Sequence, residues 1–464
     1  MDQNRSRLLL YVILALTLIR GITYASLTPP WQAPDEPKHF EYVALLEQEG
    51  HLVTRADASP SLQNKIISSM KLNAYWTFGY ANSPEQASTS FADIWKASPS
   101  ELDRPPLYYL AASIVYLPLA DIPIDMQLYV LRLFSVLLGV LTVLMIFLAV
   151  RTAFPRDPPL ALLASSFVAF LPMHSFISSS VNSDNLANLI AAILAYIVAR
   201  IFMKGASLAD SAAVVGLLFA GFWTKRTTLF TVPVSLLLAP VYLGRTMFRR
   251  RLWPAFAAVA VLLVSAVGSV FVLDRPREWV TLGLDRYIFN YSASSNLSSF
   301  NDNIYTLDSL LELYSGFSRH VFESFWAQFG WMNVRLDSVW YDVLTGLSLL
   351  SLLGMLNFAR MVVLKRQNLD ARQARVLAIY LVWIVLVIAV AYIQYTPAFS
   401  ASSFPQGRYL FPALGPLALY FALGLKNLSP KRFQPSTLFA VISGLFLFDT
   451  LSMMLYIVPF YYLP

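Results

Sequence analysis

The chain has 464 residues, of which 57% are hydrophobic and only 13% are charged. A soluble domain averages about 25% charged residues, so this composition excludes an ordinary soluble fold. The absence of cysteine excludes disulfides, thiolate metal sites and cysteine nucleophiles. The net charge of +7 resides in basic clusters between apolar stretches, which indicates membrane topology and not nucleic-acid binding.

The apolar stretches predict an all-α polytopic membrane protein with about eleven transmembrane helices, since about 20 residues cross the hydrocarbon layer. Arg5 and Arg7 precede the first stretch, and later basic clusters such as Arg249–Arg251 fall on the same side. The positive-inside rule therefore places the N-terminus in the cytoplasm and the C-terminus outside. The predicted spans are 7–27, 127–150, 158–176, 185–203, 208–223, 227–244, 252–273, 339–363, 376–396, 409–425 and 435–457.

Two of the predicted connections are long, and both lie on the extracytoplasmic side. They divide the chain into a first helix, a first outer loop, helices two to seven, a second outer loop and helices eight to eleven. The corresponding ranges are 1–27, 28–126, 127–273, 274–338 and 339–464.

The apolar segment 105–120, late in the first loop, resembles a span but is short, contains Pro118 and has acidic residues on both flanks. If it crossed the membrane, every later loop would change sides and the cluster Arg249–Arg251 would lie outside. We therefore expect this segment to dip into the outer leaflet or lie along it.

Two further loop segments have apolar residues at helical spacing. Residues 61–78 predict an amphipathic helix in the membrane interface. Residues 320–331 contain Phe322, Phe325, Trp326 and Phe329, which form either an aromatic belt at the membrane surface or a surface on which a sugar stacks.

The first candidate for chemistry is the segment 29–40, directly after the first span. It contains the paired carboxylates Asp35 and Glu36, followed by Lys38 and His39. Such a group suits a general base with its orienting partners. The alternative is structural: Asp35 is the N-cap of a helix whose first turn contains Glu36 and Pro37, and His39 is a hydrogen-bonding helix residue.

Two later segments of the outer face contain further candidates. Asp103 and Arg104 close the first loop, where the arginine either binds a phosphate bidentately or extends to the membrane surface. Asp184 opens a span and is either a functional acid or part of an N-cap. Asp449, in the outer half of the last span, is a functional candidate because it is an intramembrane acid.

Several cations lie on the side where the positive-inside rule disfavours them. Lys225 and Arg226 occupy a short outer connection, and Arg408 and Tyr409 open a later span on that face. Together with Lys38 and Arg104 of the first loop, these cations are expected to converge on an anion such as phosphate.

Metal binding has little support in the residue types. Four histidines without cysteine give no zinc spacing. The oxygen ligands of a magnesium or manganese ion are available in Asp35, Glu36, Asp103 and Asp184, although no cofactor is required by the pattern.

The short cytoplasmic loops limit the choice of donor if the protein is a transferase. They are too short to build a nucleotide pocket, and they contain no Gly-rich phosphate loop. An activated group would therefore arrive on the outer side, attached to a lipid phosphate that lies between the helices.

Four segments, in order along nearly the whole chain, resemble the GT-C superfamily of membrane glycosyltransferases. That superfamily includes protein O-mannosyltransferases and the aminoarabinose transferases of lipid A. The resemblance is closest to a bacterial family of largely uncharacterised GT-C-like membrane proteins. The segments are Pro34–Phe40, Arg104–Tyr109, Ser324–Trp331 and Gly407–Pro412.

The resemblance implies an inverting transfer of a sugar from a polyprenyl-phosphate donor to a glycan, lipid or protein acceptor outside a bacterial plasma membrane. Asp35 would be the general base for the acceptor hydroxyl, with Glu36 and His39 orienting it. A second set of residues would bind the substrate and stabilise the departing lipid phosphate. That set is Lys38, Asp103, Arg104, Asp184, Lys225, Arg226, Arg408 and Tyr409.

Two alternatives remain open at the level of the sequence. A lipid or glycan transporter would need a polar path across the bilayer and usually an internal repeat, whereas the ionisable residues here gather near one face. A non-catalytic GT-C-like scaffold that binds lipid in surface-polysaccharide assembly would share the same segments.

Overall fold

The structure is a computed structural model that describes residues 3–78, 101–102, 104–119, 121–225, 228, 230–238, 307–394 and 406–463. These residues are almost entirely helical, which confirms the predicted all-α fold. The strands in this part of the chain form one antiparallel hairpin, β1 (Gln328–Phe329) and β2 (Val334–Arg335), with Phe329 opposite Val334.

The α-helices of the described residues are numbered in chain order. They are α1 Gln3–Leu27, α2 Glu36–Glu49, α3 Pro60–Leu72, α4 Tyr75–Phe78, α5 Leu107–Tyr116, α6 Ile124–Ala153, α7 Pro158–Ala169, α8 Pro172–Ser178, α9 Asp184–Lys204, α10 Leu208–Phe222, α11 Thr231–Leu236, α12 Leu307–Trp326, α13 Ser338–Val363, α14 Ala371–Gln394, α15 Leu414–Leu428, α16 Gln434–Ser452 and α17 Val458–Tyr462. Short 3₁₀ turns occupy Arg55–Asp57, Leu117–Leu119, Gly407–Ala413 and Lys431–Phe433, and a π turn, Met453–Ile457, joins α16 to α17.

Seven helices of the described part are long and apolar enough to cross a membrane, or eight if α7 and α8 form one span. The helix α10 is apolar but has only 15 residues. Of the predicted span 227–244 only 228 and 230–238 are described, and the predicted span 252–273 lies outside the described residues.

The predicted continuous span 158–176 is wrong in one respect, because α7 and α8 meet at a bend of 63°. The break falls just before Pro172, the first residue of α8. Proline has no N–H for the helix ladder and its ring disfavours a helical residue before it, which explains the position of the bend.

The two ends of the helix bundle differ in their chemistry. At one end the side chain of Lys426 contacts that of Asp157, and Arg372 Nη1 donates to Met203 O at 2.9 Å. This is the end with the basic clusters that the positive-inside rule assigns to the cytoplasm. The opposite end has α2 to α5 and the β-hairpin packed over it.

The segment 105–120 lies along that opposite end. Its helix α5 has 10 residues, about half of what a span requires. Leu107 N donates to Trp223 O, just beyond α10, and Gln127 Nε2 in the first turn of α6 donates to Leu119 O. Both ends of the segment therefore contact the same end of the bundle.

Two predictions about loop surfaces are corrected. The apolar face of α3, with Ile66 and Met70, is buried against α2 and α6 and does not face the membrane interface. The aromatic side chains Phe325, Trp326 and Phe329 are buried in the main apolar core, where Trp326 meets Phe167 edge-on. They therefore form neither a surface belt nor an exposed stacking surface.

Candidate functional site

Four charged side chains of alternating sign form a row at the end of the bundle covered by α2 and α5. Arg408 Nη2 donates to Asp35 Oδ2 at 3.1 Å, Arg408 Nη1 lies 3.9 Å from Asp184 Oδ2, and Lys225 Nζ lies 2.6 Å from Asp184 Oδ1. We call Asp35, Arg408, Asp184 and Lys225 the four-charge row. Its members come from four separate parts of the chain.

Asp35 occupies the residue before α2, with a left-handed backbone at φ 63°. Its carbonyl accepts from Lys38 N and His39 N, but its carboxylate does not cap the helix and contacts Arg408 instead. Burial alone raises the pKa of Asp35, but Arg408, Lys38 and His39 lower it to about 2. The carboxylate is therefore ionised in the resting site, and its side chain is 29% exposed.

Arg408 is the most central member of the row and is only 4% exposed. Its neighbour Gly407 lies so close to the end of α12 that a Cβ there would be 2.1 Å from Phe325 N, so only glycine fits. The Tyr409 ring centroid lies 5.6 Å from the guanidinium carbon. The buried Nε and Nη1 atoms of Arg408 have no hydrogen-bond acceptor among the described residues.

Asp184 and Lys225 form the second half of the row. Asp184 is the first residue of α9, and its backbone N–H donates to Asn182 Oδ1 at 2.8 Å. Because the neighbouring asparagine satisfies this N–H, the Asp184 carboxylate is free to contact the two cations. Lys225 reaches it from the turn after α10, so Lys225 and Arg408 approach the same acid, and the convergence of the cations on a phosphate stays a prediction.

His39 and Lys38 lie in the first turn of α2, behind Asp35. His39 Nδ1 lies 2.7 Å from Tyr109 Oη, so its hydrogen bond goes to α5 and not to Asp35. Burial lowers the pKa of His39, which keeps the imidazole neutral near pH 7. Burial also lowers the pKa of Lys38, against the opposing effect of Asp35. Near pH 7, therefore, Lys38 acts on Asp35 by charge and the neutral His39 ring contacts α5.

Glu36 has a different role from the one the resemblance implied. Arg132 Nε and Nη2 donate to its two carboxylate oxygens at 2.8 and 2.6 Å, and both side chains are buried. Glu36 therefore connects the start of α2 to α6 and does not contact Asp35 through its carboxylate. The sequence signal for this partner was the presence of an arginine inside a span.

The other predicted residues lie at the edge of the site or outside the described part. Arg104 Nε lies 3.3 Å from Glu101 Oε2, and its side chain is 37% exposed. Arg104 is therefore a partly exposed residue at the rim. Asp103 and Arg226 lie outside the described residues.

The acids considered for a divalent cation contact cationic side chains. Asp35 and Asp184 both contact Arg408, Glu36 contacts Arg132, and Asp103 is not described. Within the described ranges there is no group of three histidine or acidic side chains placed to bind a metal ion.

Asp449 is not part of the four-charge row. Its carboxylate contacts the Arg20 side chain of α1 and accepts from Tyr24 Oη at 2.7 Å. Arg20 Nη1 also donates to Thr450 Oγ1. The intramembrane acid therefore belongs to a buried ion pair between α1 and α16.

Together these features define a polytopic membrane protein with a partly buried row of charges at one end of its helices. The chain belongs to a family described as predicted membrane protein (DUF2142), whose model matches residues 18–415. This confirms the predicted relation to a membrane-protein family. No curated protein matches the chain.

Two solved structures align with most of the chain. The apo oligosaccharyltransferase of Archaeoglobus fulgidus aligns at 15% identity with a TM-score of 0.47, over 97% of this chain and 55% of the other. Apo ArnT from Cupriavidus metallidurans aligns at 16% identity with a TM-score of 0.35, over 89% and 76% of the two chains. The chain thus spans about half the length of the archaeal enzyme. At these scores neither alignment bears on activity, so we infer function from the residues of this chain.

Proposed function

We propose that the chain is an integral membrane glycosyltransferase that moves a sugar from a polyprenyl-phosphate donor to an extracytoplasmic acceptor hydroxyl. The observation that carries the proposal is the buried guanidinium of Arg408 between the carboxylates of Asp35 and Asp184. A carboxylate that can accept a proton then lies beside a cation that suits a phosphate. The choice of a polyprenyl-phosphate sugar rests on the sequence resemblance.

The hydrogen bonding of the Arg408 guanidinium supports phosphate binding. Buried polar atoms without a hydrogen bond are uncommon, and within the described residues neither Nε nor Nη1 of Arg408 has an acceptor. Each of these N–H groups can donate to a phosphate oxygen, although Nε and Nη1 lie on opposite sides of the guanidinium and therefore do not form one fork. Lys225 approaches Asp184 from the other side and adds a second positive charge.

The proposed reaction is a single inverting displacement. The acceptor oxygen forms a bond to the anomeric carbon while its proton moves to a carboxylate oxygen of Asp35. The bond between the anomeric carbon and the phosphate oxygen breaks, and its electron pair leaves with the polyprenyl phosphate. Arg408 and Lys225 stabilise the negative charge of that leaving group.

The pairing of Asp35 with Arg408 implies that donor binding activates the base. With a pKa of about 2, Asp35 is a weak base in the resting site. When the donor phosphate engages Arg408, Asp35 loses its principal cation while most of its side chain stays shielded from solvent. Burial then raises its pKa, which improves proton abstraction once the donor is present.

The test compares two variants that each remove one paired carboxylate. Asp35→Asn alters the proposed base, and Asp157→Asn alters a carboxylate of similar exposure that pairs with Lys426 at the opposite end. Purified proteins in nanodiscs are given a panel of polyprenyl-phosphate sugars with short glycan and lipid acceptors, and release of polyprenyl phosphate is measured.

We expect Asp35→Asn to lower kcat by about a hundredfold to ten-thousandfold while donor binding persists, and Asp157→Asn to leave kcat unchanged. An inverted anomeric configuration in the product completes the assignment. If no lipid-linked sugar binds, or if Asp35→Asn transfers at the rate of the wild type, the proposal is refuted. Movement of a labelled lipid across liposomes that is insensitive to Asp35→Asn would favour a transporter.

A further inference from the structure

Arg132 of α6 directs its donors at residues on both sides of the proposed base Asp35. Arginine has five N–H groups. Two contact Glu36, and Nη1 donates to Ala25 O at 2.9 Å and to Thr28 O at 2.6 Å, while Nη2 also donates to Pro29 O at 3.1 Å. One side chain therefore binds both the end of α1 and the start of α2.

The partner carboxylate extends this connection to a second part of the site. Glu36 Oε1 accepts from Val181 N at 3.2 Å, in the loop that leads to α9. Asp35 directly precedes Glu36, and Asp184 lies three residues after Val181. The same buried ion pair thus fixes the backbone beside both acids of the four-charge row.

We propose that Arg132 and Glu36 are positioning residues that set the distance between Asp35 and Asp184, and thereby the place of Arg408 between them. This inference rests on the proposed function for its catalytic consequence. The spacing matters because Arg408 contacts both carboxylates at once, at 3.1 and 3.9 Å. A shift of the segment 28–36 would move Asp35 and leave Arg408, which is fixed by Gly407, in place.

The geometry explains why an arginine is needed at position 132. A lysine at position 132 has three donors on one nitrogen and cannot reach two carboxylate oxygens and three carbonyls together. Single removal of either member leaves a buried charge without its partner, so such variants can fail for reasons of folding. Replacement of both by apolar residues removes both charges and avoids that difficulty.

The test uses Arg132→Lys, the double variant Arg132→Met with Glu36→Leu, and the control Arg20→Lys. The control makes the same arginine-to-lysine change in a second buried ion pair, that of Arg20 in α1 with Asp449 in α16. Two quantities are measured on full-length protein in nanodiscs: deuterium uptake by the backbone of residues 28–39, and kcat separately from the affinity for polyprenyl phosphate.

In both Arg132 variants we expect faster uptake confined to residues 28–39, together with a kcat lower by on the order of a hundredfold, as for small displacements of a reacting group. Affinity for polyprenyl phosphate should change less than threefold, because Arg408 and Lys225 remain. Arg20→Lys should leave uptake in 28–39 and kcat as in the wild type.

Unchanged uptake in 28–39 would overturn the inference, whatever the activity. Faster uptake spread evenly over the chain would also overturn it, because the pair would then support folding in general. If the wild type transfers no sugar but local uptake rises in both variants, the proposed function fails and the positioning role stands. The two failures are therefore distinguishable.

Discussion

Replacement of Arg408 by glutamine is expected to raise the pKa of Asp35. Burial raises the pKa of Asp35, and Arg408 contributes most among the cations that lower it. The two side chains are 3.1 Å apart, and the guanidinium is almost fully buried, so solvent screens the interaction little. Glutamine removes the charge and keeps a side chain of similar reach.

The energetic effect of the cations on Asp35 follows from its ordinary pKa and its pKa in this site. The pKa of Asp35 is lowered from its ordinary value of 3.8 to about 2. Since one pKa unit is about 1.4 kcal/mol, its cations exceed the cost of burial by roughly 2 kcal/mol. Without Arg408 we expect Asp35 to titrate at or above its ordinary value of 3.8, because Lys38 and His39 alone oppose the burial.

Infrared difference spectroscopy over a pH titration can follow the carboxyl band, with Asp35→Asn as the blank that assigns it. The wild type should show no protonation of Asp35 above pH 4, whereas Arg408→Gln should show it within the titration range. Lys426→Gln, which removes the cation beside Asp157, should leave the Asp35 band unchanged. If Asp35 in Arg408→Gln still titrates near 2, Arg408 is not what keeps it ionised, and the activation step proposed above is wrong.

Two further predictions concern the surroundings of the row. Gly407→Ala should lower the free energy of unfolding by about 1–3 kcal/mol and impair transfer. The added Cβ would clash with the backbone of Phe325, and movement of a side chain cannot relieve that clash. An unchanged melting temperature would contradict this prediction. Burial raises the pKa of Glu41 from 4.5 to about 7, although Gln63 and Lys38 act to lower it. The contribution of Glu41 to the free energy of unfolding is therefore full below pH 4.5 and is lost as the pH rises through 7. Glu41→Gln should therefore flatten the fall in melting temperature between about pH 4.5 and 7, and an equally steep fall would count against it.

Parts of the site could be predicted from charge and topology alone. Lys225 and Arg408 stand out because they are cations on the side where the positive-inside rule disfavours them, and the structure brings both to Asp184. Asp35 and Arg408 are 373 positions apart, yet the alternation of spans places them at the same end of the bundle. The side of each residue is thus encoded in the order and length of the apolar segments.

Other features depend on details that the sequence pattern does not contain. The pair Asp35–Glu36 looks like one functional unit, but adjacent residues at a helix start point in different directions, and Glu36 meets Arg132. The spacing of Phe325 and Trp326 is equally compatible with a core, a belt or a binding surface. Pro172 was visible in the sequence, but spanning helices tolerate proline, so its presence alone did not predict a bend.

The left-handed backbone at Asp35 determines which substitutions can be interpreted there. Aspartate, asparagine and glycine adopt a φ of 63° more readily than longer side chains do. Asparagine at this position therefore changes the chemistry and leaves the backbone as it is. Glutamate preserves the charge but favours a different backbone, so a loss of function in Asp35→Glu would report on chain geometry and not on the need for an acid. In this turn the isosteric amide is the conservative replacement, and the longer carboxylate is the disruptive one.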